Sequence, residues 1–265
     1  LSPQLVVIVS ALLIGYCFLV RFRFTKRSLL FFSGLILIII ALGAPMGPSK
    51  YHDLFSAHMF QHILFLMMSP PLLVSGLPGD RLRPFFSKPA VRKVAKRLFN
   101  PFFTWILGVS TMWFWHVPAI YNFMVQPMHP QWLEPVMKGV EAASLISVGI
   151  VYCWPILAPL DEYRLPASKG IVYLFSACTG CSILGMLLVF SSPGMYVTAF
   201  QGPVKTVWDM SASLDQQVGG LLMWVPGCFI YLSGVIVLLT RWFSGKEEQH
   251  ASRTEVITSE HTIKI

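Results

Sequence analysis

His58 and His62, in the run Ala57-His-Met-Phe-Gln-His62, stand four residues apart inside a stretch apolar enough to be a membrane helix. At i and i+4 the two imidazoles share one helix face, the spacing at which a pair can ligate one metal ion. Ionisable side chains are costly in hydrocarbon, so an intramembrane pair reads first as a functional site. The plainer alternative is a hydrogen-bonded pair that only packs helices together. Met59 lies between the two histidines. Imidazole with thioether suits copper, whereas imidazole with carboxylate and water suits Zn(II) or Fe(II).

Other polar groups of the apolar stretches extend this set. His116 follows Trp113-Phe-Trp, with Met112 one turn before it, and Lys138 and Glu141 stand one turn apart. Asp215, Gln216 and Gln217 open the last apolar stretch, and Met137 and Met210 lie near enough in sequence to join. Each has a structural alternative. His116 could be an interface histidine beside an aromatic belt, and Lys138 with Glu141 could be a salt bridge that makes two charges tolerable in the membrane. Asp215 could merely complement the positive end of its own helix. Most of the 12 methionines are packing residues.

The elements that carry these residues are membrane helices. Of 265 residues, 55% are hydrophobic and only 12% charged, which excludes an ordinary soluble domain. Charge-poor stretches near 3–20, 29–47, 54–76, 101–122, 135–157, 170–191 and 213–241 are each long enough to span about 30 Å of hydrocarbon. The fold class expected is therefore an all-α, polytopic membrane protein with a bundle of seven transmembrane helices. The first stretch has no basic region before it and no small-x-small cleavage site after it, so it reads as a retained helix. All five cysteines fall inside predicted helices, which argues against a disulfide scaffold.

Lys and Arg orient the bundle. With the N-terminus outside and the C-terminus cytoplasmic, 17 of the 20 basic residues fall inside, against Lys50, Lys138 and Lys205 outside. The net charge of +8 is thus explained by orientation, with no call for nucleic acid. The basic loop 77–100 would lie along the inner surface as a short amphipathic segment facing anionic headgroups of the lipid bilayer. Residues 244–265 are polar and without apolar periodicity, and they read as a disordered cytoplasmic tail after a single domain, 1–243.

Depth along these helices, at about 1.5 Å per residue, brings the polar groups to one stratum in the outer leaflet. Four helices would deliver His58, His62, His116, Glu141 with Lys138, and Asp215 with Gln216 and Gln217 to the same level. A separate pair, Cys178 and Cys181, forms a C-x-x-C that could bind Cu(I) or cycle to a disulfide. Gly180, Ser182 and Gly185 around it fit close helix packing equally well.

Ordered motifs also point to a family. Ser56 to Pro78, with H-M-x-Q-H and S-P-P-L-L-V-x-G-x-P, resembles the signature of the CtaG family of cytochrome c oxidase assembly factors of Gram-positive bacteria. Trp113-Phe-Trp-His116-Val-Pro118-Ala-Ile-Tyr121, Glu141 followed by Trp154-Pro155, and Asp215-Gln216-Gln217-Val-Gly-Gly-Leu-Leu-Met223-Trp224 match in the same order, over roughly residues 54 to 242. The resemblance implies a seven-helix membrane protein that matures a caa-type haem-copper oxidase, with copper delivered to its copper-containing subunit. It carries over to His58, Met59, His62, His116, Glu141, Asp215 and Gln216. The family pattern on the fifth helix is H-x-x-E-H; here its histidine positions read Lys138 and Ala142.

Three functions follow. The first is a non-enzymatic assembly factor in the cell membrane that holds copper transiently at a site drawn from His58, His62, His116, Met59, Met112 and Asp215. The second is an intramembrane zinc hydrolase, with Glu141 as general base beside a zinc-bound water. The third is a metal-free scaffold in which the polar cluster only orders the bundle.

Overall fold

The structure is a computed structural model and describes residues 3–21, 23, 25–43, 54–125, 132–192, 194–196 and 211–262. Among them every regular element is helical: α1 (Pro3–Val20), α2 (Lys26–Leu42), α3 (Phe55–Ser75), α4 (Gly79–Phe86), α5 (Pro89–Leu98), α6 (Pro101–Trp115), α7 (Pro118–Val125), α8 (Leu133–Leu157), α9 (Ala167–Phe190) and α10 (Ala212–Thr262). Each of the seven predicted stretches contains helix among the described residues, and residues 44–47 of the second stretch lie outside them. Four segments, Phe55–Ser75, Pro135–Leu157, Ala167–Phe190 and Ala212–Ser244, are each long and apolar enough to cross a membrane, and Val9–Val20 is a shorter apolar helix. The chain is a multi-pass membrane protein.

The structure departs from the predicted elements where proline chemistry intervenes. The sequence predicts one span over 101–122, but α6 ends at Trp115 and α7 begins at Pro118, with His116 and Val117 in the turn between them. Proline disfavours a helical conformation in the residue before it and fits the first helical position after it. The predicted span 54–76 is helical throughout, yet Ile63–Met68 forms a π-helical turn. Pro70 and Pro71 lack the N–H groups that would continue the ladder, so Ser69 reaches back five residues, its N–H and its hydroxyl both meeting the Leu64 carbonyl.

The basic loop folds as two short helices, α4 and α5, whose Phe86 and Ala95 are buried against a cluster with Trp154 and Tyr163. Past residue 244, where the sequence predicts the polar tail, the backbone of α10 runs on as helix to Thr262. Lys50, Lys205 and Met210 lie outside the described residues.

Association in hydrocarbon rests on close backbone approach, since lipid tails are as apolar as leucine. A Cβ at Gly185 of α9 would stand 2.6 Å from Trp224 Cβ and 3.0 Å from its Cα, so α9 and α10 touch nearly backbone to backbone. Gly149 of α8 takes the ring of Pro70 in the same way. α3 is held from three sides: Gln61 Nε2 donates to the Ala41 carbonyl of α2 at 2.9 Å, α8 packs along it, and α10 crosses its first turns.

Candidate metal centre

The first two N–H groups of α3 are capped from another helix. Phe55 N–H donates to Asp215 Oδ2 at 2.7 Å and Ser56 N–H to Asp215 Oδ1 at 3.1 Å, with the Ser56 hydroxyl on the same oxygen. A helix leaves its first N–H groups unpaired and carries partial positive charge there, so a carboxylate at that end satisfies both demands. Asp215 is 1% exposed. Its oxygens therefore orient the helix that bears the histidine pair, rather than the start of its own helix.

One turn further along α3, both imidazoles face Glu141 of α8. His62 Nε2 is 2.8 Å and His58 Nε2 3.1 Å from Glu141 Oε1. The His62 contact is a hydrogen bond, whereas His58 Nε2 is buried with no aligned hydrogen-bond partner. Glu141 itself is buried, and its neighbour Ser144 donates to the Glu141 carbonyl at 2.8 Å and accepts from Trp115 Nε1 at 2.9 Å, tying α8 to α6.

His116, in the turn that ends α6, completes the cluster. Its Nδ1 donates to the Met112 carbonyl at 2.5 Å, while its Nε2 lies 3.4 Å from His62 Nδ1 and 3.1 Å from Met59 Sδ. The Tyr196 hydroxyl donates to the His116 carbonyl at 2.7 Å. Burial pushes the Tyr196 phenol up to about 12, so it stays a donor at physiological pH.

In the neutral rings the two acceptors select the tautomers. His116 spends its proton at Nδ1 on Met112, and neutral His62 spends its own at Nε2 on the Glu141 carboxylate. The remaining nitrogens, His116 Nε2 and His62 Nδ1, are lone pairs that face each other, and a thioether sulfur joins them. His116 Nε2 lies 3.1 to 3.4 Å from the other two electron-rich atoms, a buried arrangement suited to a cation.

His58, Met59, His62, His116 and Glu141 are thus brought together. Met112 takes part through its backbone carbonyl. Gln216 is buried and spends its amide on the end of α9, donating to Ser191 Oγ at 2.7 Å; Gln217 and Lys138 are exposed, and Met137 is half-buried. Ser56, Ser144 and Tyr196 are contributors that sequence reasoning misses, because each acts through contacts between segments remote in the chain.

A family model described as cytochrome c oxidase caa3 assembly factor matches residues 15–245. The chain belongs to that family. Among curated proteins, this caa3 assembly factor family member is 23% identical over 224 residues to an uncharacterised protein of Mycobacterium leprae (strain TN), covering 76% of this chain and 33% of the relative. It is 24% identical over 249 residues to uncharacterised proteins of Mycobacterium bovis and Mycobacterium tuberculosis, covering 85% of this chain and 36% of each. The chain therefore spans about a third of the length of the curated relatives it matches. No solved structure matches it.

Proposed function

We propose that this chain is a membrane assembly factor for a caa3-type cytochrome c oxidase that holds one Cu(I) ion as cargo between His62 Nδ1, His116 Nε2 and Met59 Sδ, and passes it to the copper-containing subunit. The observation that carries this reading is the pair of imidazole lone pairs facing each other across 3.4 Å beside a thioether. An ion about 2.0 Å from each nitrogen would subtend an angle of about 120°, close to trigonal. Two nitrogens and a soft sulfur suit Cu(I), and three ligands leave a face open for handover. Glu141 then acts as the carboxylate that orients a metal-binding histidine through its other nitrogen. The seven helices run with the N-terminus outside and the C-terminus in the cytoplasm, which puts the cluster in the outer leaflet, on the side where an exposed copper centre is loaded. The factor works by carrying its cargo, without catalytic turnover.

The test is elemental analysis of protein purified in detergent after exposure to equal copper and zinc, wild type beside His58→Ala/His62→Ala. Expected is bound copper that the double variant loses at the histidine site, together with loss of oxidase maturation in cells. Full maturation by the double variant would overturn the reading.

A zinc hydrolase is favoured by one further observation. One ring nitrogen each of His58 and His62 and one carboxylate oxygen of Glu141 lie within 4.8 Å of one another, a two-histidine, one-carboxylate set of the kind that binds Zn(II). Zinc in place of copper in the same experiment would select that function.

A further inference from the structure

The imidazoles of the cluster form a row. Ring centroids of His58 and His62 are 4.4 Å apart, and those of His62 and His116 4.8 Å. Exposure falls along that row: the His58 side chain is 17% exposed and that of His62 2%, while His116 and Met59 are buried. His58 also stands one turn nearer than His62 to the start of α3. At the His116 end the row is covered. Phe55, Tyr121 and Tyr196 pack ring against ring at 4.8 to 5.5 Å, all three buried, and the Tyr196 hydroxyl holds the His116 carbonyl.

His58 differs from the other two rings in its hydrogen bonding as well. Its Nε2 stands 3.1 Å from Glu141 Oε1 without an aligned hydrogen bond, and among the described residues no hydrogen bond takes its Nδ1. A carboxylate beside Nε2 favours the neutral tautomer with its proton there, which leaves Nδ1 as a lone pair. His62 presents Nδ1 in the same way, from the same Glu141 oxygen.

We infer that His58 is the transfer ligand of the centre: it takes Cu(I) at Nδ1 from an outside donor, passes it one turn along α3 to His62, His116 and Met59, and returns it by the same route at handover. This role depends on the centre holding copper, as proposed. A bare ion is costly in a buried, low-dielectric site, so it has to be ligated at every step. Ring centres 4.4 Å apart are close enough for one ion, about 2.0 Å from a nitrogen of each, to bond both before it leaves the first. The copper–Nδ1 bond to His58 forms as the bond to the outside donor breaks, and the bond to His62 then forms as that to His58 breaks. Every donor is a neutral lone pair. No proton or electron moves, copper stays in the +1 state, and the Glu141 carboxylate faces both rings that carry the ion.

The test is stopped-flow transfer of Cu(I) between a chromogenic chelator and the full chain in detergent, anaerobically and in both directions, with affinity measured by competition. His58→Phe keeps an aromatic ring against Tyr121 and removes the donor nitrogens; His58→Met restores a soft donor without the ring. A ligand that holds the ion only in transit lowers one barrier as seen from both sides, so His58→Phe should slow loading and release by the same factor, about tenfold. Affinity and stoichiometry should stay at the wild-type values, and His58→Met should recover both rates. Wild-type rates in His58→Phe, a loss of affinity there, or no recovery in His58→Met would each overturn the transfer role while leaving a copper centre in place. A wild-type chain that takes up no copper would overturn the transfer role and the copper reading together.

Discussion

His62 Nδ1 and His116 Nε2 face one another across 3.4 Å, each ring having committed its other nitrogen to a fixed acceptor, Glu141 for one and the Met112 carbonyl for the other. Neutral imidazoles so held have no proton left to place between them. The arrangement is intrinsically short of a positive charge, which is what the proposed Cu(I) ion would supply.

Glu141→Gln removes the carboxylate that fixes the His62 tautomer while leaving all three proposed ligands. Loss of such an outer partner costs about 10- to 100-fold in metal affinity. Competition against a Cu(I) chelator should show that loss with the histidine-site stoichiometry unchanged. Equal affinity would mean that Glu141 does not orient the ring.

Asp215→Ala leaves the buried N–H groups of Phe55 and Ser56 without their acceptor. Unsatisfied buried donors cost about 1–3 kcal/mol each in soluble proteins, so thermal melting in detergent should move down by several degrees. Asp215→Asn, which keeps one carbonyl oxygen, should fall between the two. At saturating copper the alanine variant still fills the centre, since Asp215 supplies no ligand.

Gly219 of α10 lies directly under the start of α3. An alanine Cβ there would stand 2.8 Å from Phe55 Cε1 and 3.1 Å from Met59 Cγ, so Gly219→Ala should push Met59 off its position and weaken Cu(I) binding. Gly180→Ala, whose Cβ would meet only Val109 Cγ1 at an ordinary 3.6 Å, is the matched control and should bind as wild type does.

Lys138 is exposed while Glu141 is buried against two histidines. Lys138→Ala should therefore change copper affinity by no more than about fivefold, the ceiling for a typical exposed charge interaction of about 1 kcal/mol. A larger gain in affinity would show that the lysine repels the ion.

Orientation is tested by labelling. A cysteine introduced at exposed Ser211 should react with an impermeant maleimide added to intact cells, and one at exposed Lys88 only after the membrane is opened. The reverse pattern would invert the bundle.

Much of this architecture is legible in the residues. Hydropathy locates the helices, and the four-residue spacing of His58 and His62 places both rings on Glu141. What escapes is whatever depends on contacts between helices. Asp215 reads as a partner for its own helix because the helix it caps begins 160 residues earlier. Lys138 and Glu141 read as an ion pair because spacing reports a shared face; that Glu141 is buried against α3 while Lys138 is exposed depends on the tertiary packing. Cys228 has no sequence neighbour to flag its contact with Ser182 of α9. The π-helical turn is the exception: Ser69-Pro70-Pro71 carries its cause openly, but a hydropathy window is blind to a missing N–H.

The capping of α3 by Asp215 also imposes an order on synthesis. α3 leaves the ribosome well before α10, and its first-turn N–H groups wait until α10 has entered the membrane. A chain truncated before α10 holds His58, Met59, His62, His116 and Glu141 but lacks the brace that aims them. On the proposed function, cargo loading then waits on insertion of α10, and copies lacking that helix would be denied a formed copper centre.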